Sequence, residues 1–134
     1  MILVDAGPLV ALVDADDQHH SSCARALSVM DEPLATVWPA LTEAMYLLRD
    51  LARGQDAVWE MIERGAVQVL PLRMADVSRM RALMRKYADR PMDVADAALV
   101  AVAERESVRT IFTVDRGDFS VYRLHGRARF TIIP

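Results

Sequence analysis

Ile2-Leu3-Val4-Asp5-Ala6-Gly7-Pro8 begins the chain with three apolar residues, a carboxylate and a turn. A short, uninterrupted apolar run is typical of a buried strand. Pro8 suits the first turn of a helix, and we expect that helix to run to about Asp14. A buried strand that passes at once into a helix indicates an α/β fold.

The rest of the chain repeats this alternation of strand and helix. The pattern predicts further strands at residues 35–38, 67–70, 110–114 and 130–133, and helices at 18–30, 39–54, 56–64, 75–88 and 93–105. Strands separated by helices form a parallel sheet with helices on both faces. With no linker or repeat, residues 1–134 are predicted to be one domain.

The composition excludes several classes of protein. With 53% hydrophobic residues, the chain has enough apolar side chains to form a core, and its composition is not that of an intrinsically disordered protein. No apolar run approaches the roughly 18–20 residues of a membrane span, and the N-terminus lacks the basic segment of a secretory signal. Cys23 is the only cysteine, so neither an internal disulfide nor a cysteine zinc cluster can form. We expect a cytoplasmic protein without membrane association.

The net charge of −3 excludes a protein that coats nucleic acid by bulk electrostatics. Any contact with nucleic acid must therefore be local. Arg79, Arg85, Lys86 and Arg90 flank the apolar face of the predicted helix 75–88 and could touch RNA phosphates. Because the chain is acidic overall, we interpret these four cations as a solvated helix face.

Carboxylates follow the predicted strands at one edge of the sheet. Asp5 and Asp115 each come directly after an apolar strand, and Glu43 lies near the start of a helix that follows another strand. In an open α/β sheet, functional groups gather beyond the carboxyl ends of the strands, where the strand order reverses. We therefore expect these three acids to lie close together.

Three more acids belong to the same region of the predicted fold. Asp93 and Asp96 are three residues apart at the start of a helix, so they project from one helix face. Asp96 interrupts an otherwise apolar segment, where an unpaired buried charge would be expensive. Asp118 follows Asp115 by three residues.

A cluster of carboxylates is stable only if something offsets the repulsion between them. Two unit charges about 4 Å apart repel by roughly 4 kcal/mol at an effective dielectric near 20. An all-oxygen site suits Mg²⁺ or Mn²⁺ better than Zn²⁺, and such an ion supports phosphodiester hydrolysis.

Four of these acids also have a simpler interpretation, in which they stabilise local structure. Asp5 and Asp115 could be helix N-caps or turn residues, and Glu43 and Asp93 could be acids favoured by a helix dipole.

Four segments resemble, in order and spacing, the acidic motifs of the PIN-domain family, and within it the VapC-like toxin ribonucleases of type II toxin–antitoxin systems. The order, the spacing and the approximate total length all agree, so the resemblance spans essentially the whole chain. Each motif alone is short, but four in order are specific. The segments are Ile2–Asp5 with Gly7–Leu12, Thr42–Leu48, Met92–Val100 and Ile111–Phe119.

The resemblance implies a three-layer α/β/α fold with a central parallel sheet of four to five short strands. It further implies an Mg²⁺-dependent endoribonuclease, with Mn²⁺ as a possible substitute, that acts on RNA, pairs with an antitoxin protein and forms a homodimer. The four catalytic and metal-binding positions match Asp5, Glu43, Asp96 and Asp115, and Asp93 and Asp118 match as auxiliary metal ligands.

At two positions near the acids, the family often carries a residue with a side-chain hydroxyl group. Thr113 matches a hydroxyl residue often found beside the fourth acid of the family. Ala6 stands where many family members carry Ser or Thr, and this departure removes a hydroxyl that could hold a carboxylate or a metal-bound water.

Two other functions compete with the nuclease hypothesis. A signalling receiver module expects an acidic pair after the first strand and a lysine after a late strand, but Asp5 stands alone and Lys86 falls in a predicted helix. A catalytically degenerate PIN domain that only binds RNA or a protein is the closer alternative, favoured by Ala6 and opposed by the presence of all four acids.

The large apolar residues outside the motifs are predicted to serve packing. We interpret Met74, Met80 and Met84 as core residues. Trp38 and Trp59 are interpreted as core or dimer-interface residues rather than base-stacking platforms.

Overall fold

The computed structural model describes residues 1–134 and has seven helices and seven strands. The strands are short, as predicted, and most helices begin and end within a few residues of the predicted positions. The strands are β1 (Ile2–Val4), β2 (Leu34–Val37), β3 (Val67–Leu70), β4 (Thr110–Phe112), β5 (Arg123–Leu124), β6 (Ala128–Arg129) and β7 (Thr131–Ile133). The helices are α1 (Ala6–Val13), α2 (His20–Ser28), α3 (Trp38–Leu47), α4 (Gly54–Glu63), α5 (Val77–Lys86), α6 (Val94–Glu106) and α7 (Arg116–Val121).

Five strands form one parallel sheet in the order β3-β2-β1-β4-β7. The chain runs outward from β1 through β2 to β3 and then returns to the other side of β1 to form β4. The strand order therefore reverses between β1 and β4, and a crevice opens beyond their carboxyl ends. This is the edge at which Asp5 and Asp115 lie.

Alternate residues of each strand face opposite layers of helices, so the fold has three α/β/α layers, as predicted. Leu3 and Ile111 belong to the core cluster that includes most of α6, whereas Val4 and Phe112 pack with α1 and Cys23 of α2. Helix α6 is buried on nearly all sides, which explains why its sequence is apolar almost throughout. None of the helices is long and apolar enough to span a bilayer.

Several sequence-based boundaries were wrong. Helix α3 ends at Leu47 instead of continuing to Gly54, because the next residues form turns in which the backbone N–H groups of Arg49, Leu51 and Gly54 donate to the carbonyl three residues back. The predicted helix 75–88 begins with a 3-10 turn at Met74–Asp76 before α5. Helix α7 and the antiparallel pair β5–β6 were not predicted, because each is too short to show a periodic pattern.

The packing predictions for the large apolar residues were partly wrong. Met80 and Met84 pack against the core, but Met74 is 85% exposed in the 3-10 turn. Trp38 and Trp59 are about half exposed, at 51% and 46%, so neither belongs to the core, and their alternative placement at a dimer interface stays a prediction.

Candidate active site

The six predicted acids line a single cavity of about 260 Å³, which we call the acidic cavity. It lies at the carboxyl edge of the sheet, beyond β1 and β4, where the reversal of strand order places it. The structure therefore brings together all the acids that the sequence singled out. They are Asp5, Glu43, Asp93, Asp96, Asp115 and Asp118.

Asp5 lies at the bottom of the crevice, between the end of β1 and the start of α1. Its Oδ1 accepts a 2.7 Å hydrogen bond from the Ala6 backbone N–H, and its Oδ2 accepts a 2.8 Å bond from the Thr113 hydroxyl. Burial raises the pKa of Asp5, these two hydrogen bonds oppose the rise, and repulsion from Asp93 and Asp115 adds to it.

Thr113 connects two of the acids. Besides donating to Asp5, its Oγ1 accepts a 3.0 Å hydrogen bond from the backbone N–H of Asp115. The Thr113 side chain is fully buried, so its position is set by packing. Ala6, whose missing hydroxyl was noted from the sequence, still supplies its backbone N–H, and both oxygens of Asp5 have a donor.

Asp96 projects into the cavity from the first turn of α6. Its backbone N–H donates to Oδ1 of Asp93, which caps the helix, at 2.8 Å. Its Oδ2 accepts a 2.8 Å hydrogen bond from the hydroxyl of Tyr122. Burial, together with repulsion from Asp93, Asp5 and Asp118, raises the pKa of Asp96 to about 7, although the Tyr122 hydrogen bond opposes the rise. Asp96 therefore changes charge near neutral pH.

Tyr122, which the sequence analysis did not single out, contacts an acid of the cavity. It is fully buried, and its ring makes edge-on contacts with Tyr87 and Phe119, at centroid distances of 5.0 and 5.2 Å. Burial and the hydrogen bond to Asp96 raise the pKa of Tyr122 further above its ordinary value, so its hydroxyl stays a donor. It lies 26 residues from Asp96 and outside the four motifs, and no local pattern connects the two.

Asp115 and Asp118 form the side of the cavity next to α7. Asp115 caps this helix, and its Oδ1 accepts a 3.1 Å hydrogen bond from the Asp118 backbone N–H. Partial burial raises the pKa of Asp115, as does its proximity to the Asp118 carboxyl, whereas the backbone hydrogen bond and Arg90 lower it. Arg90 donates a 2.7 Å hydrogen bond to Asp118 Oδ1, so this acid already has a cation as its partner.

Glu43 lies at the rim of the cavity on α3. Its side chain is exposed, yet partial desolvation raises its pKa, and repulsion from Asp5, Asp93 and Asp115 adds to the rise. It has no hydrogen-bond partner that would lower this pKa. Glu43 is thus an accessible carboxyl that is free to take up or release a proton.

Three of the acids that line the cavity also cap helices, so the capping interpretation is correct for Asp5 and Asp115 and extends to Asp93, while the functional role of the cluster stays a prediction. Asp5, Asp93 and Asp115 each cap a helix through a backbone N–H, and each also lines the acidic cavity. In each case the capping hydrogen bond uses one carboxylate oxygen. The caps therefore fix the orientation of the carboxylates.

No group of three or more His, Cys, Asp or Glu side chains forms a ready-made coordination shell. Magnesium does not require one, because it binds through one or two carboxylates and keeps several waters. The donor set of the cavity consists of carboxylate oxygens without His or Cys. This set fits Mg²⁺ or Mn²⁺, and a divalent cation would offset the repulsion between these carboxylates.

Comparison with known proteins gives a consistent result. Residues 2–123 match the PIN domain family. The chain is 31% identical to Ribonuclease VapC26 of Mycobacterium tuberculosis, over 99% of this chain and all of that protein.

Two solved structures share the fold at low sequence identity. The crystal structure of VapC20 of Mycobacterium tuberculosis, described as a toxin that cleaves the sarcin–ricin loop, superposes with a TM-score of 0.80 at 19% identity, covering 87% of this chain and 92% of that one. A toxin–antitoxin complex from Klebsiella pneumoniae gives a TM-score of 0.73 at 15% identity, covering 100% and 97%. The sequence match over nearly the whole chain, together with this common fold, shows that the protein belongs to the PIN-domain family.

Proposed function

We propose that this protein is an Mg²⁺- or Mn²⁺-dependent endoribonuclease and the toxin of a toxin–antitoxin pair that acts in the cytoplasm. The observation that carries the proposal is the acidic cavity, in which six carboxylates meet and Asp96 has a pKa of about 7. The relationship to Ribonuclease VapC26 supports RNA as the substrate.

Asp5, Asp96 and Asp115 are the residues that would hold the ion, with Glu43 at the open side. Asp93 and Asp118 are auxiliary, since Asp93 caps α6 and Asp118 is paired with Arg90. A bound divalent cation supplies a Lewis acid that neutralises charge on phosphoryl oxygens and lowers the pKa of an attacking water.

The side chains of this protein perform the remaining tasks. Thr113 and Tyr122 hold Asp5 and Asp96 in fixed orientations through hydrogen bonds of 2.8 Å. Such supporting hydrogen bonds are typical around metal-binding carboxylates. Glu43, exposed and with a raised pKa, is the acid best placed to accept a proton from water at the cavity mouth. Arg90 places a cation beside the cavity, where it offsets repulsion between the acids and an RNA phosphate.

We further propose two protein partners, a cognate antitoxin and a second copy of this chain. The antitoxin is supported by the toxin–antitoxin complex that shares this fold, and the homodimer by the family resemblance alone. Sedimentation of the purified chain, alone and after coexpression with any small open reading frame found beside its gene, tests both partners.

The nuclease proposal is tested by incubating purified protein with a mixed pool of structured RNAs and Mg²⁺ or Mn²⁺. The variants are Asp96→Asn and, as a matched control, Asp50→Asn, whose side chain is 92% exposed outside the cavity. We expect cleavage by the wild type and by Asp50→Asn, and no cleavage by Asp96→Asn or in the presence of EDTA. Cleavage that persists in Asp96→Asn contradicts the assigned site. If no RNA in the pool is cut and no divalent ion binds, the degenerate binding module is the better description.

A further inference from the structure

A second cavity, of about 500 Å³, lies between α5, α6 and the turn that joins β5 to β6, and none of the six acids lines it. We call it the basic cavity, because three Lys or Arg side chains line it against two carboxylates. A cavity of this size can hold a nucleotide. Its lining residues are Asp76, Arg79, Lys86, Ala101, Glu104, Arg105, His125 and Gly126.

The two carboxylates of the basic cavity are already used by the protein. Glu104 is 9% exposed and accepts hydrogen bonds from Arg79 Nε at 2.8 Å, from another Arg79 nitrogen at 3.1 Å and from the His125 backbone N–H at 2.7 Å. Asp76 is 7% exposed and is paired with Arg105. Because both oxygens of Glu104 and Oδ2 of Asp76 already accept hydrogen bonds within the protein, the cavity offers a ligand mainly donors, which favours an anion over a cation.

Lys86 is the group in this cavity that lacks an acidic partner. It is the only lysine in the chain, its side chain is exposed, and none of the ion pairs of the structure includes it. Its Nζ lies 5.3 Å from the centroid of the Tyr87 ring and 3.8 Å from where a Cβ on Gly126 would be. The ammonium group is therefore held beside the cavity wall with protons available for a ligand.

The cavity wall beside Lys86 is a defined turn. His125 and Gly126 have φ values of 50° and 71°, and the Arg127 backbone N–H donates to the Leu124 carbonyl at 3.0 Å. Positive φ at both central residues is the mark of a tight hairpin turn whose conformation is narrowly restricted. The turn presents the His125 ring and a residue without a side chain to the cavity, so a ligand can approach the backbone closely.

The surroundings of the basic cavity differ in charge from the protein as a whole. Residues 77–86 and 123–129, which form α5 and the β5–β6 hairpin, contain seven of the sixteen Lys and Arg residues and no Asp or Glu. The net charge of −3 thus conceals a cationic region built from α5 and the β5–β6 hairpin. Lysine and arginine clusters of this kind attract phosphate groups locally.

We propose that the basic cavity is a phosphate-binding site, in which Lys86 contacts the phosphate directly and Arg79, held by Glu104, provides the second cation. The phosphate belongs either to an RNA strand or to a small free phosphate compound. This assignment replaces the interpretation of Lys86 and Arg79 as merely solvated cations. The phosphate site itself does not depend on nuclease activity, and only its use for RNA rests on the proposed function.

The test is a titration of the metal-free full chain with inorganic phosphate, followed by the NMR shifts of the His125 and Gly126 amides. The variants are Lys86→Gln and, as a matched control, Arg81→Gln, which removes one charge from the same helix outside the basic cavity. We expect saturable shifts in the wild type, a loss of affinity of about tenfold in Lys86→Gln, as for one charge-assisted hydrogen bond, and no change in Arg81→Gln. Unshifted amides, or equal losses in the two variants, overturn the proposal.

A second arm identifies the source of the phosphate. Binding of a labelled single-stranded RNA is measured in the presence of EDTA, which keeps a metal-dependent nuclease inactive. If Lys86→Gln weakens RNA binding and inorganic phosphate competes with RNA, the site holds an RNA phosphate. If Lys86→Gln weakens only phosphate binding, the site holds a free phosphate compound. Failure of RNA cleavage with intact phosphate binding contradicts the nuclease proposal and leaves the phosphate site standing.

Discussion

The hydroxyl of Tyr122 donates a 2.8 Å hydrogen bond to Oδ2 of Asp96, and so joins the aromatic core to the acidic cavity. Edge-on contacts with the rings of Tyr87 and Phe119 fix the position of the Tyr122 ring, and with it the direction in which the hydroxyl points. Without this hydrogen bond, a carboxylate in the first turn of a helix would populate several rotamers. The orientation of Asp96 is therefore set by a residue that never reaches solvent.

Tyr122→Phe should weaken Mn²⁺ binding and RNA cleavage by about tenfold or more while the fold is retained, because only the hydroxyl is lost. Tyr87→Phe is the matched control, since its hydroxyl accepts from the Arg123 backbone N–H and touches no acid of the cavity. Calorimetric Mn²⁺ titrations and initial cleavage rates provide the measurement. Equal effects of the two substitutions would show that Tyr122 acts through general packing.

Thr113→Val should destabilise the protein by about 1–3 kcal/mol, because the buried Asp5 loses a donor and the Asp115 backbone N–H loses an acceptor. Valine has a similar shape, so the effect reports on the hydroxyl. Urea denaturation measures the free energy of unfolding. Thr131→Val, at an exposed position of β7, is the control and should change it little. A Thr113→Val protein as stable as the wild type would mean that Asp5 does not need this donor.

The stability of the metal-free protein should fall as the pH rises from about 5 to about 8. The pKa of Asp96 is raised in the folded state to about 7, above its ordinary value of 3.8, so the stability linked to its protonation is present at low pH and lost as the pH passes through about 7. Each pKa unit corresponds to about 1.4 kcal/mol. Allowing for solvent screening of this partly exposed group, we expect Asp96 to contribute about 2 kcal/mol.

Asp96→Asn should flatten this pH dependence and make the metal-free protein more stable than the wild type at about pH 8. Asp50→Asn, on the exposed surface, should leave the profile unchanged. Thermal unfolding in EDTA across the pH series measures both variants. A wild-type profile that is flat, or that rises over this range, contradicts the assigned burial and repulsion at Asp96.

Gly7→Ala should destabilise the protein by about 1–3 kcal/mol through overpacking. A Cβ at residue 7 would lie 2.4 Å from Cγ2 of Val114, and both residues line the acidic cavity. Valine is stiff about χ1, so it cannot rotate away at little cost. Adding Val114→Ala should restore stability. In the control Gly117→Ala, the new Cβ meets only Asp115 Oδ1, at 3.8 Å. If the double variant is no more stable than Gly7→Ala, the clash is not the cause.

The sequence predicted the fold and the acid cluster because both depend on local patterns. Asp5 and Asp115 directly follow apolar strands, and the topology of a parallel sheet brings such positions to one edge. The four motifs placed the remaining acids in the same order as in the family. The agreement between the six acids and a single cavity follows from these two facts.

Other features depend on contacts between distant residues and could not be predicted. The bond from Tyr122 to Asp96 and the burial of Glu104 by Arg79 connect segments 26 and 25 residues apart that carry no common pattern. Helix α7 and the β5–β6 hairpin are too short for periodicity to detect. The basic cavity was missed because net charge averages over the chain, whereas a binding site responds to the charges within a few ångströms of it.

The most direct test of the central claim, that the acidic cavity is a metal site, is a calorimetric titration of the protein with Mn²⁺ at about pH 8, where Asp96 is ionised. We predict saturable binding in the wild type and in Asp50→Asn, and its loss in Asp96→Asn. The absence of binding in the wild type, or binding that Asp96→Asn leaves intact, would contradict the account.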